Sequence, residues 1–421
     1  MKYTRPRGTK DILPSEIGIW QHIESVSRSI FQLYNYEEIR TPIFESTELF
    51  AKNIGNATDI VEKEMYTFED KGGRKITLRP EGTAPIVRSY IQNSLHKTEK
   101  VSKLYYMGPM FRYERPQAGR FRQFHQIGVE NLGTSSPISD AEVIALGIQI
   151  FDELGLNKLS VSINSVGCPV CRPVIEERLK QFLSSNLDSL CTDCNRRFNQ
   201  QPLRILDCKN KKCTTYFSGL PDISSSLCQE CNDHFSAVQV YLDLLGIKFT
   251  INPTLVRGLE YYTRTTFEIV SDQLGAQNAV CGGGRYDHLV KNNGGPSTPA
   301  VGFAFGVERT IMVLKEIQEF VPISRNIDLY LIPLGQPQRN KCFIILQKLR
   351  KAGVICEMGY DNSSLKSHMK QANRLSSKHV LIYGEDEAEK KRAILKNMKT
   401  GKQKRIKTRQ IIGALKHEFK V

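Results

Sequence analysis

Met107–Glu130, MGPMFRYERPQAGRFRQFHQIGVE, sets aromatic and branched residues on both sides of a polar centre that contains Pro116 and Gly119. That pattern reads as strand, long loop, strand. Alternation along the second strand puts Gln126, Gly128 and Glu130 on one face, with Phe124 beside them. A glycine between an amide and a carboxylate leaves a recess floored by backbone, suited to a small polar ligand with N–H donors. Arg112 and Glu114 share a face of the first strand, and Arg115, Arg120 and Arg122 surround the turn. Each guanidinium offers a planar fork to paired oxygens, so four arginines across one hairpin make a phosphate site. A solvated basic hairpin would explain the arginines by themselves. The polar recess on the same hairpin turns the reading towards a ligand site.

The chain has 421 residues, enough for two or three domains and a sizeable core. Its formal charge is +15, and residues 326–421 hold 21 Lys and Arg against 8 Asp and Glu, a net +13. A C-terminal unit this basic favours nucleic acid over a small anionic substrate, with a merely soluble basic surface as the alternative. The opening residues MKYTRPRGTKDILP hold no apolar leader run, and no apolar stretch reaches membrane-spanning length. A soluble cytoplasmic protein with no membrane partner is expected. In that compartment the 11 cysteines are free thiols or metal ligands, not disulfides.

Taken in order, Glu16–Tyr34 has a helical apolar period, and Glu37–Phe44 (EEIRTPIF) reads as a strand whose Pro42 confines it to an edge or interface. Ile76–Ala84, ITLRPEGTA, is a short strand entering a turn with Arg79, Glu81 and Thr83, followed by a helix over Thr83–Gln92. Ser139–Leu154 is an amphipathic helix and Leu159–Ser165 a strand. Phe249–Ile269 returns to strand character around an internal loop. There Arg257 stands beside Gly258, and Tyr261 and Tyr262 supply aromatic walls with hydroxyl handles. Cys281–Asp287, CGGGRYD, reads as a Gly-rich turn. Val301–Thr310, VGFAFGVERT, reads as a strand, a Gly turn and the start of a helix that carries Arg309. From Asn326 onward, strands and helices alternate, which implies a small α/β domain with a mainly parallel sheet.

Between these segments lie eight cysteines in four pairs: Cys168/Cys171, Cys191/Cys194, Cys208/Cys213 and Cys228/Cys231. Four such arms suffice for two Cys₄ zinc sites. A redox pair and reduced core cysteines are the other readings, and the pairing of arms cannot be read from spacing.

FRYERPQAGRFRQFHQIGVE resembles the second signature motif of the class II aminoacyl-tRNA synthetases, in the form found in the histidyl-tRNA synthetase family. EEIRTPIF resembles the first motif, which builds a dimer interface, and VGFAFGVERT the third. LVRGLEYYTRTTFE (Leu255–Glu268) resembles a histidine-specific motif, and CGGGRYD stands where the family has its second one. The resemblance covers essentially the full length. It implies an α+β catalytic domain over 1–325 with an antiparallel sheet of six or seven strands. A cysteine-rich insertion at 166–245 would interrupt it, and a basic α/β anticodon-binding domain would follow at 326–421.

The same resemblance implies a homodimeric ligase that joins L-histidine to its tRNA, with ATP and Mg²⁺ as the substrate complex and zinc in a structural role. Arg112 and Arg257 would be catalytic, gripping the α-phosphate and stabilising its developing charge. Arg112, Glu114 and Arg309 would bind ATP, with Arg309 on the adenine and γ-phosphate. Glu81, Thr83 and Gln126 would orient histidine's backbone groups, Glu130 and Tyr262 would read its imidazole, and Tyr261 would complete the pocket. Arg115 and Gln117 would meet the acceptor end of the tRNA. Two other readings stand beside it. One is a histidine-sensing regulatory paralogue that does not charge tRNA. The other is a plain RNA-binding module, which leaves the polar recess and Arg257 without a purpose.

Overall fold

The computed structural model describes residues 3–55, 58–117, 119–156, 159–217, 219–220, 223–271, 279–317 and 327–419. The chain divides into two compact units, Met1–Phe320 and Val321–Val421. Residues 321–326, including Asn326, lie outside the described residues.

The strands of the first unit are β1 (Glu37–Glu38), β2 (Phe44–Ser46), β3 (Tyr66–Glu69), β4 (Lys75–Leu78), β5 (Ser102–Phe111) and β6 (Gln123–Leu132). They continue as β7 (Leu159–Ser165), β8 (Phe249–Ile251), β9 (Thr263–Ser271), β10 (Ala279–Arg285) and β11 (Ala300–Gly306). Eight of them form one sheet in the order β1-β5-β6-β11-β10-β9-β7-β8. The six central strands run antiparallel, whereas β1 on β5 and β8 on β7 are parallel edge additions. The sheet is therefore wider than the six or seven strands expected.

Alternation along β6 separates the two faces. Ile127 and Val129 join the core formed with Ile144, Phe151 and the helix Ile17–Leu33, whose Ile19, Trp20, Ile23, Ile30 and Phe31 are buried. Gln126 and Glu130 point to the other side, where functional side chains collect. A second packed cluster on that side unites Tyr106, Tyr261, Tyr262 and Tyr286 with the cysteine-rich segment, including Leu179, Leu203, Ile205 and Cys231.

Two strand readings need correction. EEIRTPIF is not one strand: β1 pairs with β5, while β2 belongs to a separate three-stranded sheet ordered β2-β4-β3. Between them the Thr41 carbonyl and hydroxyl accept from Arg79 Nη1 at 3.2 and 3.1 Å, and Pro42 has no N–H for a ladder. CGGGRYD is not a turn. Its glycines form the central strand β10, paired with both β9 and β11.

In the second unit, β12 (Leu329–Pro333), β13 (Cys356–Met358), β14 (His379–Tyr383), β15 (Arg392–Asn397) and β16 (Gln403–Lys407) lie in the order β13-β12-β14-β15-β16. Both β12 pairings are parallel, but β14–β15 and β15–β16 are antiparallel, so the sheet is mixed, not mainly parallel. The link 384–391 is too short for a parallel crossover.

Candidate active site

Two cavities meet on the functional face of the large sheet, and Arg112, Gln126, Arg257 and Gly282 line both. The outer one, about 320 Å³, is walled by Arg112, Glu114, Arg120, Phe124, Glu268 and Arg309. The inner recess, about 70 Å³, is lined by Glu81, Thr83, Tyr106, Glu130, Tyr261, Tyr262 and Tyr286. Among the described residues, the expected ligand-binding side chains thus fall into two groups that share a wall.

The recess is built from helix and strand ends. Glu81 precedes the helix Thr83–Gln92, and its carboxylate accepts the backbone N–H groups of Thr83 (2.7 Å) and Ala84 (2.8 Å). These donors have no partner inside the helix, so an acidic side chain is favoured there. Glu81 is buried, not a solvent-facing turn residue, and burial raises its pKa against the pull of those two N–H bonds. Thr83 Oγ1 then donates to Glu130 Oε1 at 2.7 Å. Glu130 is 1% exposed, and its other oxygen accepts from the Tyr286 hydroxyl. Burial pushes this carboxyl up to about 8, although both hydroxyls favour the charged form. Gln126 Oε1 is buried with no hydrogen-bond partner, an acceptor left for a ligand. The recess is not floored by bare backbone at Gly128 as expected. The Tyr106 ring covers that position, and a Cβ on Gly128 would lie 2.6 Å from its hydroxyl.

The arginines divide. Arg112 lies just beyond β5, not on it, with its N–H donating to the Arg122 carbonyl (2.9 Å) and its Nε to that of Pro80 (2.9 Å). Its guanidinium lies 5.3 Å from the Phe124 ring centre. Glu114, also past the strand, pairs with Arg120 at 3.3 Å and stands 3.8 Å from Arg112. Of the four hairpin arginines only Arg112 and Arg120 line the cavity. Arg122 stacks on Tyr113 at 3.7 Å, and Arg115 is exposed on the loop, as is Gln117, which bridges to Arg120 at the tip.

Arg257 stands where the two cavities meet. Its Nη1 pairs with Glu268, and its guanidinium lies against Gly282 of β10, where a Cβ would come 2.4 Å from Nη2. This close approach explains the glycine at 282, while Gly283 lies against the Gly302 carbonyl and Gly284 against that of Thr265. Burial works against the Arg257 charge, and Glu268, Tyr262 and Asp207 more than offset it. Arg309, in the first turn of the helix Val307–Ile317, donates Nη1 to the Ala279 carbonyl at 3.0 Å. Burial, and then Arg120, push its pKa down.

The cysteine arms pair as Cys168, Cys171, Cys228 and Cys231 in one cluster and Cys191, Cys194, Cys208 and Cys213 in another. Within each cluster all four sulfurs lie within 4.8 Å of one another. Sulfur separations include 3.5 Å (Cys168–Cys171), 3.9 Å (Cys168–Cys228) and 3.9 Å (Cys191–Cys208). Zinc–sulfur bonds of about 2.3 Å in a tetrahedron require edges of about 3.8 Å, so the donor sets fit zinc. Backbone N–H groups of Cys228 and Cys191 donate to Cys171 Sγ (3.1 Å) and Cys213 Sγ (3.2 Å). Against burial, the first of these bonds helps bring the Cys171 thiol down to about 7, whereas burial keeps the Cys213 thiol raised.

The family profile described as Histidyl-tRNA synthetase matches residues 8–181 and 210–310, and the one described as Anticodon binding domain matches 328–418. The chain belongs to the histidyl-tRNA synthetase family. It is 52% identical over 412 residues to the histidine–tRNA ligase of Halothermothrix orenii and 49% identical over 412 residues to that of Desulforamulus reducens. Each alignment covers 98% of both chains. The apo crystal structure of Staphylococcus aureus histidyl-tRNA synthetase aligns at 39% identity and a TM-score of 0.83, over 98% of this chain and 99% of that one. This likeness to histidyl-tRNA synthetases extends through the second unit, which leaves the regulatory reading disfavoured. The catalytic profile skips residues 182–209, and that gap holds Cys191, Cys194 and Cys208.

Tyr106, Glu268 and Tyr286 also line these two cavities, although the sequence reading assigned them no role. Two signals were available. Tyr286 follows the glycine run that admits Arg257, and Tyr106 is the ladder partner of Gly128.

Proposed function

We propose that the chain is a histidine–tRNA ligase, which activates L-histidine with ATP and transfers the histidyl group to the 3′ end of its tRNA. The observation that carries this reading is the shared wall: Arg112, Gln126 and Arg257 face both a small polar recess and an arginine-lined cavity. An amino acid held in the recess presents its carboxylate to the α-phosphate of ATP lying in the outer cavity. The carboxylate attacks phosphorus in line, pyrophosphate leaves, and histidyl-adenylate remains. A terminal ribose hydroxyl of the tRNA then takes the histidyl group and AMP departs.

Positioning and charge stabilisation do most of this work. Arg112 grips the α-phosphate, Arg257 stabilises its developing charge, and Arg309 holds adenine and the γ-phosphate. Glu114, whose Oε2 pairs with Arg120 at 3.3 Å, walls the ATP cavity beside Arg112, and Mg²⁺ travelling with the phosphate tail would neutralise its charge. Glu81, Thr83 and Gln126 receive the α-ammonium and orient the amino acid. Glu130 accepts an imidazole N–H, Tyr262 serves the other ring nitrogen, and Tyr261 packs behind it. Arg115 and Gln117, exposed on the hairpin tip, suit the acceptor end of the tRNA.

Zinc in the two Cys₄ clusters has a structural part, cross-linking the insertion 166–245 within the catalytic domain 1–325. Reduced thiols of this kind fit the cytoplasm. The unit 326–421 docks the anticodon arm. No helix among the described residues is long and apolar enough to cross a membrane. Exposed Ile43, Phe44 and Phe68 around the small sheet supply a face for a second copy in a homodimer.

The test is charging of histidine-accepting tRNA with labelled histidine. Acid-stable histidyl-tRNA supports the ligase, whereas histidine binding without charging would support the regulatory alternative.

A further inference from the structure

The loop Val256–Tyr262 carries Arg257, Tyr261 and Tyr262, yet it lies between β8 and β9 and joins no ladder. It is held from two sides by arginines of the cysteine segments. Arg172, next to Cys171, donates Nη1 to the Glu260 carbonyl at 3.2 Å. Arg204, in the turn Pro202–Asp207 that leads into Cys208, lays its Nη1 against Gly258, where a Cβ would lie 3.0 Å away. The Arg204 side chain is 12% exposed, between Asp59 at 3.5 Å and Asp207 at 4.0 Å. Arg197, from the helix Thr192–Gln200, pairs with Asp59 at 2.6 Å and donates to the Arg204 carbonyl at 3.3 Å. A cavity of about 230 Å³ is walled by Arg172 and Arg204 together with Arg257 and Tyr262. The packed cluster that contains Tyr261 and Tyr262 continues into Cys194, Cys208, Cys213 and Cys231.

We infer that Arg172 and Arg204 are positioning residues for the Arg257–Tyr262 loop, and that through them the two thiolate sites are coupled to histidine binding and adenylation. The inference rests on the ligase reading and on zinc in both clusters. Neither arginine needs to touch histidine, because each acts on the loop through Gly258 or Glu260. Each also stands on a segment that a Cys₄ site makes rigid. Loss of metal frees the arginine, and the loop with it. Coupling of this kind is reciprocal, so whatever metal contributes to holding histidine, bound histidyl-adenylate contributes equally to holding metal.

The test uses the full-length zinc-loaded protein, with zinc release to a chromophoric chelator followed in the presence and absence of histidine, ATP and Mg²⁺. Histidine-dependent pyrophosphate exchange is measured on the same preparation. Release slowed ~5-fold or more by the substrates is expected in the wild type, within the usual range of coupling between sites. Arg172→Ala and Arg204→Ala should keep two zinc ions per chain but lose that protection, with kcat for exchange lowered ~10-fold. Arg172→Lys, which keeps a donor for the Glu260 carbonyl, should restore it. If Arg204→Ala fails to fold, the Arg172→Ala and Arg172→Lys pair carries the comparison. Release that ignores the substrates in a wild type active in exchange overturns the coupling alone. Full exchange in protein purified without zinc also overturns it. A wild type inactive in exchange counts against the ligase reading instead.

Discussion

The Thr83 hydroxyl donates to Glu130 Oε1 at 2.7 Å, while the Thr83 N–H donates to Glu81 at the same distance. One residue at a helix N-terminus thus ties together the two buried acids of the recess, 81 beside the helix and 130 on the sheet. Thr83 still has hydroxyl lone pairs to offer an ammonium group. This junction sets the spacing between Glu81 and Glu130, to which the proposed function gives the amino acid's ammonium group and its imidazole.

Glu130→Gln should raise the KM for histidine ~100-fold, because a charge-assisted hydrogen bond contributes about 1.5–3 kcal/mol. It should also change the pH dependence of stability. In the empty site Glu130 is raised to about 8 from an ordinary value of 4.5, so the folded state keeps a proton that the unfolded chain has released. The stability tied to that proton is fully present below pH 4.5 and is lost as pH rises through 8, at up to about 1.4 kcal/mol per pH unit. Calorimetry from pH 5 to 8 should show the wild-type melting temperature falling relative to Glu130→Gln. Parallel curves would mean that Glu130 is ionised throughout.

Arg257→Ala should slow single-turnover adenylate formation ~10²- to 10³-fold and leave tRNA affinity within about two-fold. Adenylation surviving within a few-fold would remove Arg257 from the transition state.

Elemental analysis should find two zinc ions per chain. Cys191→Ser with Cys194→Ser should remove one of them. Chelation of the wild type should lower its melting temperature, since metal bound only by the folded state stabilises it. A zinc-free wild type with an unchanged melting temperature would leave the clusters as reduced core cysteines.

The basic second unit makes a separate prediction. Its cavity of about 760 Å³ is lined by Tyr330, His368, Lys370 and Arg374. Lys370→Glu with Arg374→Glu should raise the KM for tRNA and flatten its salt dependence, each lost phosphate contact lowering the slope by about 0.7. Histidine-dependent exchange should not change. A loss of exchange would show that the substitutions act on more than RNA docking.

Much of the large sheet was legible because its strands and helices follow local periodicity. β7 falls on Leu159–Ser165 and the helix after Glu81 on Thr83–Gln92, both as expected. The failures came where distant residues decide. Three successive glycines suggest a turn locally, but the Arg257 guanidinium beside Gly282 and the pairing of β10 with β9 and β11 make them a strand. Pro42 hinted at an edge, while the Arg79 bonds that divert the chain at Thr41 could not be foreseen from spacing. The burial of Glu81 and the hydrogen bond from Tyr286 to Glu130 depend on tertiary contacts across the sheet. The pairing of the cysteine arms is likewise a property of the folded insertion.

The most direct measurement is amino-acid-dependent ATP–pyrophosphate exchange across all twenty amino acids, without tRNA. Exchange with histidine alone is predicted, because only histidine presents an imidazole N–H to Glu130 and the second ring nitrogen to Tyr262. Exchange with another amino acid would contradict the roles given to those two residues. No exchange, with histidine still bound, would contradict catalysis itself.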